Sequence, residues 1–291
     1  MRNQDKADIT TPLRRQYLEI KLRYPGMILM FQIGDFYEAF DEDAHVVARE
    51  LGVALTRKWF GKGQAHPLAG VPVRSIETHL AKLIHRGHKV AICEQTMPPG
   101  KGLVERQVTR IVTPGTVIEP GLLEARANNY LAALIINERT AGFAYAYITT
   151  GEFAVTEVDL EQGLAELERI APAELLLPGS AKSPFIEGMS EIRAFTPIDD
   201  ELVEIKFARR ALLDHFGVKT LAAFGCEDKP LATQAASAII IYLRDTQADA
   251  LANLNRLQTY TTQNFMQFDP QTVRNLEIFQ SWDFTGGAPT G

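Results

Sequence analysis

Met27-Ile28-Leu29-Met30-Phe31-Gln32-Ile33-Gly34-Asp35-Phe36-Tyr37-Glu38-Ala39-Phe40 reads as two strands that meet at a turn. Met27–Ile33 is an apolar run of strand length. Gly34-Asp35 is a turn signal. Side chains alternate across a strand, so Phe36, Glu38 and Phe40 share one side and Tyr37 and Ala39 the other. A large apolar side chain beside a turn is commonly a core anchor. The carboxylate of Glu38 on the same side opposes that reading here, because burying an unpaired charge is costly. The Phe36/Glu38 side is therefore expected to be at least partly exposed.

The pattern continues on both sides of this hairpin. Thr11-Pro12 opens a helix, with Thr as cap and Pro pre-organised at the first helical position. Tyr24-Pro25-Gly26 ends it. Asp41 is read as the cap of a second helix and Ser75 as the cap of a third. Thr56–Gln64 (TRKWFGKGQ) is read as a basic, glycine-containing loop. Val90–Cys93 is a short strand, and Leu103–Val112 a long one that ends in Thr113-Pro114-Gly115-Thr116.

A second pattern begins near Asn129. Tyr130–Ile136, Gly142–Thr149 and Glu152–Val158 read as strands joined by tight turns. Helices and strands then alternate: helix Glu161–Ile170, strand Ala173–Leu177, strand Glu191–Phe195, helix Asp199–Phe216 and a very apolar helix at Thr233–Tyr242. This order points to an α/β domain of the ribonuclease-H-like type. From about Ala250 the character changes again, with a strand at Tyr260–Phe268 and a helix opened by Asp269-Pro270. The organisation is thus a mixed-sheet α/β domain over residues 1–116, a connection over 117–128, a ribonuclease-H-like α/β domain over 129–249 and an incomplete helical unit over 250–291. An unfinished last unit suggests the front part of a larger protein. Residues 1–10 read as disordered.

The chain of 291 residues carries a net charge of −6, unevenly spread. Residues 1–110 hold 17 Lys and Arg against 12 Asp and Glu, while the remainder holds 13 against 24. A basic front on an acidic scaffold suits an anion-facing domain, and equally suits ordinary variation between two domains. No apolar stretch reaches the length of a membrane span, and the polar start has no secretory h-region. Cys93 and Cys226 have no ligand-spaced companions, so they read as buried thiols.

In a basic domain, an exposed aromatic beside a carboxylate suits base reading. An apolar wedge entering from the minor groove unstacks a base step. The cost is least where the pair is already mismatched, which supplies selectivity. Arg57, Lys58 and Lys62, with Arg74, Arg106 and Arg110, are candidates for phosphate contacts that position without reading sequence. Arg106 and Arg110 lie four apart on one strand and are expected on one face. For each basic residue a solvated surface is the competing reading. His79, His85 and His88 have no partner carboxylates that would make a metal or acid–base site.

Taken together, Phe31–Glu38 (FQIGDFYE), Ala69-Gly70-Val71-Pro72, Leu80-Ala81-Lys82-Leu83, Val90–Gln95 (VAICEQ) and Val104–Thr116 (VERQVTRIVTPGT) resemble the MutS mismatch-recognition family. Ala171–Leu176, Tyr242–Gln247 and Asp269–Glu277 extend the resemblance, in family order, over nearly the whole chain. The resemblance implies that Phe36 stacks on a mispaired base and Glu38 hydrogen-bonds to it. It implies a mismatch-recognition domain, a ribonuclease-H-like connector and the start of a lever domain. Mismatched double-stranded DNA and MutL are the implied partners. ATP and Mg belong to a family domain whose glycine-rich Walker A loop has no counterpart here, so this chain is expected to need no cofactor and to be no enzyme. The family's dimers form largely through that domain, so this chain is expected to be mostly monomeric. A bacterial, cytoplasmic, nucleoid-associated setting is implied.

Two departures stand out. Val73-Arg74 occupies the place of an aromatic–His pair, and Ile33 that of a common Met. A competing reading makes the connector a metal-dependent nuclease. Such nucleases need clustered carboxylates on the first strands, and the first such strand is read as ending Tyr147-Ile148-Thr149-Thr150, without one. A further reading makes the chain a docking scaffold for MutL with little DNA binding of its own.

Overall fold

A computed structural model describes residues 11–61, 65–96, 104–117, 129–180, 192 and 194–262. Met1–Tyr260 form one compact unit and Thr261–Gly291 a second. The first unit is built on two six-stranded sheets. The expected lever helix, most of the strand read at Tyr260–Phe268, residues 1–10 and Lys62 lie outside the described residues.

The first sheet begins with helix α1 (Pro12–Arg23), whose first turn is capped by the Thr11 hydroxyl accepting from the Arg14 N–H at 3.4 Å. Strands β1 (Ile28–Ile33) and β2 (Phe36–Phe40) follow as an antiparallel hairpin, with Ile33 opposite Phe36 and Phe31 opposite Glu38. Gly34 sits at φ +58°, the conformation a glycine-first tight hairpin turn requires. Helix α2 (Asp41–Leu51) comes next. Asp41 does not cap it: the cap position is Phe40, without a side-chain bond. The Asp41 carboxylate instead pairs with Arg14 at 2.5 Å and His66 at 2.9 Å, a long-range demand that outweighs the local one.

The stretch read as a loop is in part a strand. β3 (Thr56–Trp59) pairs antiparallel with β4 (Ala65–Pro72), because Thr56, Lys58 and Trp59 find backbone partners at Leu68, His66 and Ala65. A 3-10 turn (Val73–Ser75) leads into α3 (Ile76–His85). Ser75 occupies the cap position but its hydroxyl donates back to the Pro72 carbonyl at 3.1 Å. β5 (Val90–Gln95) and β6 (Arg106–Val112) complete the order β3-β4-β2-β1-β5-β6, in which the β1/β5 pair alone is parallel. Alternation sends Leu29, Phe31, Phe40, Ala91 and Cys93 to the α1 face, and Met30, Tyr37, Ala39, Val71 and Ile92 to the α2/α3 face.

The second sheet comprises β7 (Leu131–Ile136), β8 (Thr140–Tyr147), β9 (Glu152–Asp159), β10 (Glu174–Pro178), β11 (Ala194–Ile198) and the short β12 (Gln258–Thr259). Its order is β11-β10-β7-β8-β9-β12, and β8 alone runs antiparallel to its neighbours. This is the ribonuclease-H-like arrangement with one added edge strand. Helix α4 (Leu160–Ile170) covers one face, and α5 (Ile205–Phe216) with α6 (Pro230–Thr246) the other. Two glycines permit that closeness: an added Cβ on Gly142 would lie 2.1 Å from the Leu231 carbonyl carbon of α6, and one on Gly163 of α4 2.4 Å from Ala141. The strand that ends at Tyr147 is the second of this sheet, not the first. The first, β7, also carries no acidic residue.

The two sheets are joined through Glu174, which is 0% exposed. Its Oε2 accepts from the Thr113 hydroxyl at 2.5 Å and the Gly115 N–H at 3.0 Å. Its Oε1 accepts from Thr196 at 2.5 Å and from the Tyr242 hydroxyl at 2.7 Å. Lys89 reaches the same cluster through Thr196 at 3.0 Å. Four donors satisfy a carboxylate that would otherwise be very costly to bury. Cys93 and Cys226 are both buried and free. Among the described residues no helix is long and apolar enough to cross a membrane.

Candidate nucleic-acid interface

The α1 face of the first sheet is only partly covered. Phe40 lies under α1, its ring edge-on to Tyr17 at 4.9 Å between centroids. Two residues back, Glu38 is half-buried, and at the hairpin tip Phe36 is 48% exposed. One strand face thus runs from core to solvent, as the alternation Phe36/Glu38/Phe40 predicts. The tip is braced from β4: Phe36 stands opposite Pro72, and the Val73 N–H donates to the Asp35 carbonyl at 2.9 Å.

Glu38 is opposite Gly70. A Cβ on Gly70 would meet the Tyr37 carbonyl at 3.1 Å and Glu38 Cγ at 3.4 Å. The missing side chain lets Glu38 lie across β4, and Lys58 meets it there, donating from Nζ to Oε2 at 2.5 Å. The Lys58 ammonium also sits 5.8 Å from the centre of the Phe40 ring. On the opposite face Tyr37 is anchored, its hydroxyl donating to Glu94 Oε1 at 2.6 Å, while Thr109 donates to Oε2 at 2.8 Å. Burial, reinforced by the Glu94 carboxylate, pushes the Tyr37 hydroxyl well above its ordinary pKa. Phe36 and Glu38 therefore flank a residue that is firmly held.

The basic candidates separate. Lys58 shares the Glu38 face. Arg57 is exposed, but one residue along the strand and so on the α2/α3 face, with the 69%-exposed Trp59. Arg74 is exposed in the 3-10 turn that abuts the hairpin tip. Arg106 and Arg110 do not share a face. Opposite Ile92 and Cys93 the register slips, with Ile92 paired to Arg110 and Cys93 to Val108, and this bulge at Thr109 reverses the alternation. Arg106 lies on the α1 side, 7% exposed, its guanidinium 5.0 Å from the Phe31 ring centre. It donates to the Gln32 carbonyl at 2.6 Å, the Val104 carbonyl at 2.8 Å and Gln16 Oε1 at 3.1 Å. Arg106 thus clasps α1, β1 and the entry to β6, and its guanidinium faces protein rather than solvent. Arg110 lies on the α3 side, paired with Glu77 at 3.0 Å. Sequence reasoning missed the Glu38–Lys58 pair, the Gly70 gap and the Arg106 clasp. A glycine inside a strand was the available signal for the gap.

Among the described residues, no group of three or more His, Cys, Asp or Glu side chains could hold a metal ion. Glu152 and Asp159 stand at opposite ends of β9, about 20 Å apart at the rise of an extended strand. The second domain instead exposes Leu202, Ile205 and Phe207 within a short stretch.

Comparison with known proteins is consistent along the chain. The profile of MutS domain I matches residues 11–120, and that of MutS domain II matches residues 129–258. The chain is 48% identical over 275 residues to the DNA mismatch repair protein MutS of Dehalococcoides mccartyi (strain CBDB1), covering 94% of this chain and 32% of that protein. The corresponding protein of Halothermothrix orenii is 43% identical over 92% of this chain and 31% of its own length. That of Thermosynechococcus vestitus is 39% identical over 95% and 33%. The chain spans about a third of the length of the curated relatives it matches.

Proposed function

The chain belongs to the MutS family, whose domains I and II it carries, and on that premise we propose that it reads mispaired or unpaired bases in duplex DNA. Phe36 is the wedge that stacks on the mispaired base, and Glu38 hydrogen-bonds to that base. The observation that carries this reading is the exposure of Phe36, 48%, on the strand face where Glu38 follows and Phe40 is buried. A core role would have covered Phe36 as it covers Phe40. Arg74 lies exposed beside the tip and Lys58 half-exposed on the Glu38 face, where a duplex backbone would pass, whereas Arg57 is exposed on the other face of β3 and would serve only a backbone reached from that side. Arg110 is a further backbone contact only if it leaves Glu77. Arg106, buried under α1, is assigned to structure instead.

The test compares wild type with Phe36→Ala on a G·T duplex and on a matched one, by fluorescence anisotropy. Preference for the G·T duplex in wild type, lost in the variant, is expected. Equal binding of both duplexes by both proteins would sink the wedge.

The ATP- and Mg-dependent step of the family is assigned to a part outside domains I and II, and the role proposed for these two domains is that of a reading head. A cytoplasmic, nucleoid-associated location goes with that role. A second reading rests on Leu202, Ile205 and Phe207, an exposed apolar stretch on the second domain. It makes that domain the docking scaffold for MutL. Phe207→Glu should then abolish capture of MutL by the chain while leaving DNA binding unchanged, and undiminished capture would reject it.

A further inference from the structure

Lys58 is the nearest cation to the reading carboxylate, yet it starts from a distant strand. It stands opposite His66 on β4, whereas Glu38 stands opposite Gly70. Its stem therefore reaches diagonally over β4 toward Glu38, whose own side chain lies in the gap that Gly70 leaves. There Nζ donates to Oε2 of Glu38 at 2.5 Å, with the Lys58 side chain 30% exposed and that of Glu38 15%. Among the described residues this is the one hydrogen bond made by the Glu38 carboxylate, so Oε1 is left open.

From this geometry we propose that Lys58 is a positioning residue for Glu38. This inference rests on the proposal that Glu38 reads the base. By holding Oε2, Lys58 restrains the carboxylate and leaves Oε1 without a protein donor among the described residues. A partly exposed ion pair of this kind adds little to stability. Its consequence lies in orientation: an untethered Glu38 samples several rotamers, and reading a base requires one of them. The same contact separates Lys58 from Arg57 and Arg74. A lysine that contacts only phosphate strengthens binding to every duplex alike and adds to the salt dependence. A lysine that orients Glu38 changes discrimination.

Two measurements test this. In the free chain, 15N spectra of the lysine ammonium groups should show a slowly exchanging Lys58 signal that is lost in Glu38→Gln. A Lys58 signal indifferent to Glu38→Gln overturns the pairing. With duplexes, Lys58→Met should lower the preference for G·T over matched DNA by about threefold or more, as expected for directly coupled side chains. Lys58→Arg should restore it, and Lys58→Met should add nothing in a Glu38→Gln background. Equal weakening of both duplexes, with a salt slope reduced by about one, would make Lys58 a phosphate contact and overturn the inference. If Glu38→Gln itself leaves the preference unchanged, the reading role of Glu38 fails, and the inference with it. If Glu38→Gln lowers the preference and Lys58→Met does not, only the inference fails.

Discussion

The Thr113 hydroxyl donates to Glu174 Oε2 at 2.5 Å, so the turn that ends the first sheet is bonded to the first residue of a central strand of the second. Gly115 permits the approach: an added Cβ there would lie 2.8 Å from Glu174 Cβ. Glu174→Gln keeps the shape but turns an NH2 toward two of four donors. Loss of charged hydrogen bonds in a fully buried site should cost about 2–4 kcal/mol. Urea denaturation checks this, and a loss below about 0.5 kcal/mol would mean the joint is fastened elsewhere.

Phe36 and Phe40 share a face but not an environment. Phe40→Ala should cost about 3–5 kcal/mol, since it empties a packed site between Tyr17 and Phe60. Phe36→Ala should cost less than about 1 kcal/mol. Comparable losses in the two denaturation curves would show that Phe36 is a core residue after all.

Gly34 meets nothing within 4 Å, so its requirement is purely one of backbone conformation. Gly34→Ala should cost about 1 kcal/mol through the positive φ alone. Gly142→Ala is different in kind, because the new methyl collides with the α6 backbone. It should cost about 3 kcal/mol or more, the upper end for overpacking. A smaller loss for Gly142→Ala than for Gly34→Ala would contradict the packing described for α6.

Arg106→Met leaves the Gln32 and Val104 carbonyls without their donor in a half-buried site. It should destabilise by about 2 kcal/mol, in the range for orphaned buried acceptors. Arg110→Met, which loses a partly exposed ion pair with Glu77, should cost less than about 1 kcal/mol. Thermal melts of the two variants decide between a clasp and a surface cation.

Burial pushes the Cys93 thiol up to about 12, and burial with the neighbouring Glu152 does the same for the Tyr130 hydroxyl. Both folded values lie above the unfolded ones, so the folded chain holds these protons more tightly. Their contribution is complete below the unfolded values and is lost as pH rises toward 12. Stability should therefore decline progressively above pH 9, the ordinary thiol value, in urea curves taken across that range. A thiol reagent at pH 8 should leave Cys93 unlabelled until the chain unfolds, and rapid labelling of the native chain would contradict its burial.

The legible parts were those governed by nearest neighbours. Alternation in Phe36–Phe40 placed each side chain on its observed face. Turn residues bounded the hairpin, and helical spacing located six helices of the described chain, although α5 begins at Ile205 rather than Asp199 and α6 extends beyond Thr233–Tyr242 at both ends. Errors arose where a distant partner outweighed a local preference. Residue type marks Asp41 and Ser75 as caps, yet Asp41 lies inside α2 and pairs with Arg14, and Ser75 holds the cap position of α3 while its hydroxyl bonds back to Pro72. Thr56–Trp59 reads as loop from its residues alone because its strand partner, β4, starts only at Ala65. Arg106 and Arg110 were placed together because a bulge leaves no mark in residue spacing.

The hairpin Met27–Phe40 by itself determined that Phe36 and Glu38 share a side, because alternation is a property of the extended chain. It also carried the family strings on which the roles rest. How much of that side stays open was settled by packing, with Tyr17 of α1 set against Phe40 while Phe36 is left 48% exposed. That Glu38 has Lys58 as a partner was settled by β3 and β4 folding back beside β2, with Gly70 leaving the space. Faces are written in local geometry, whereas partners depend on which segments pack together, and only the folded chain brings residues 38, 58 and 70 to one place.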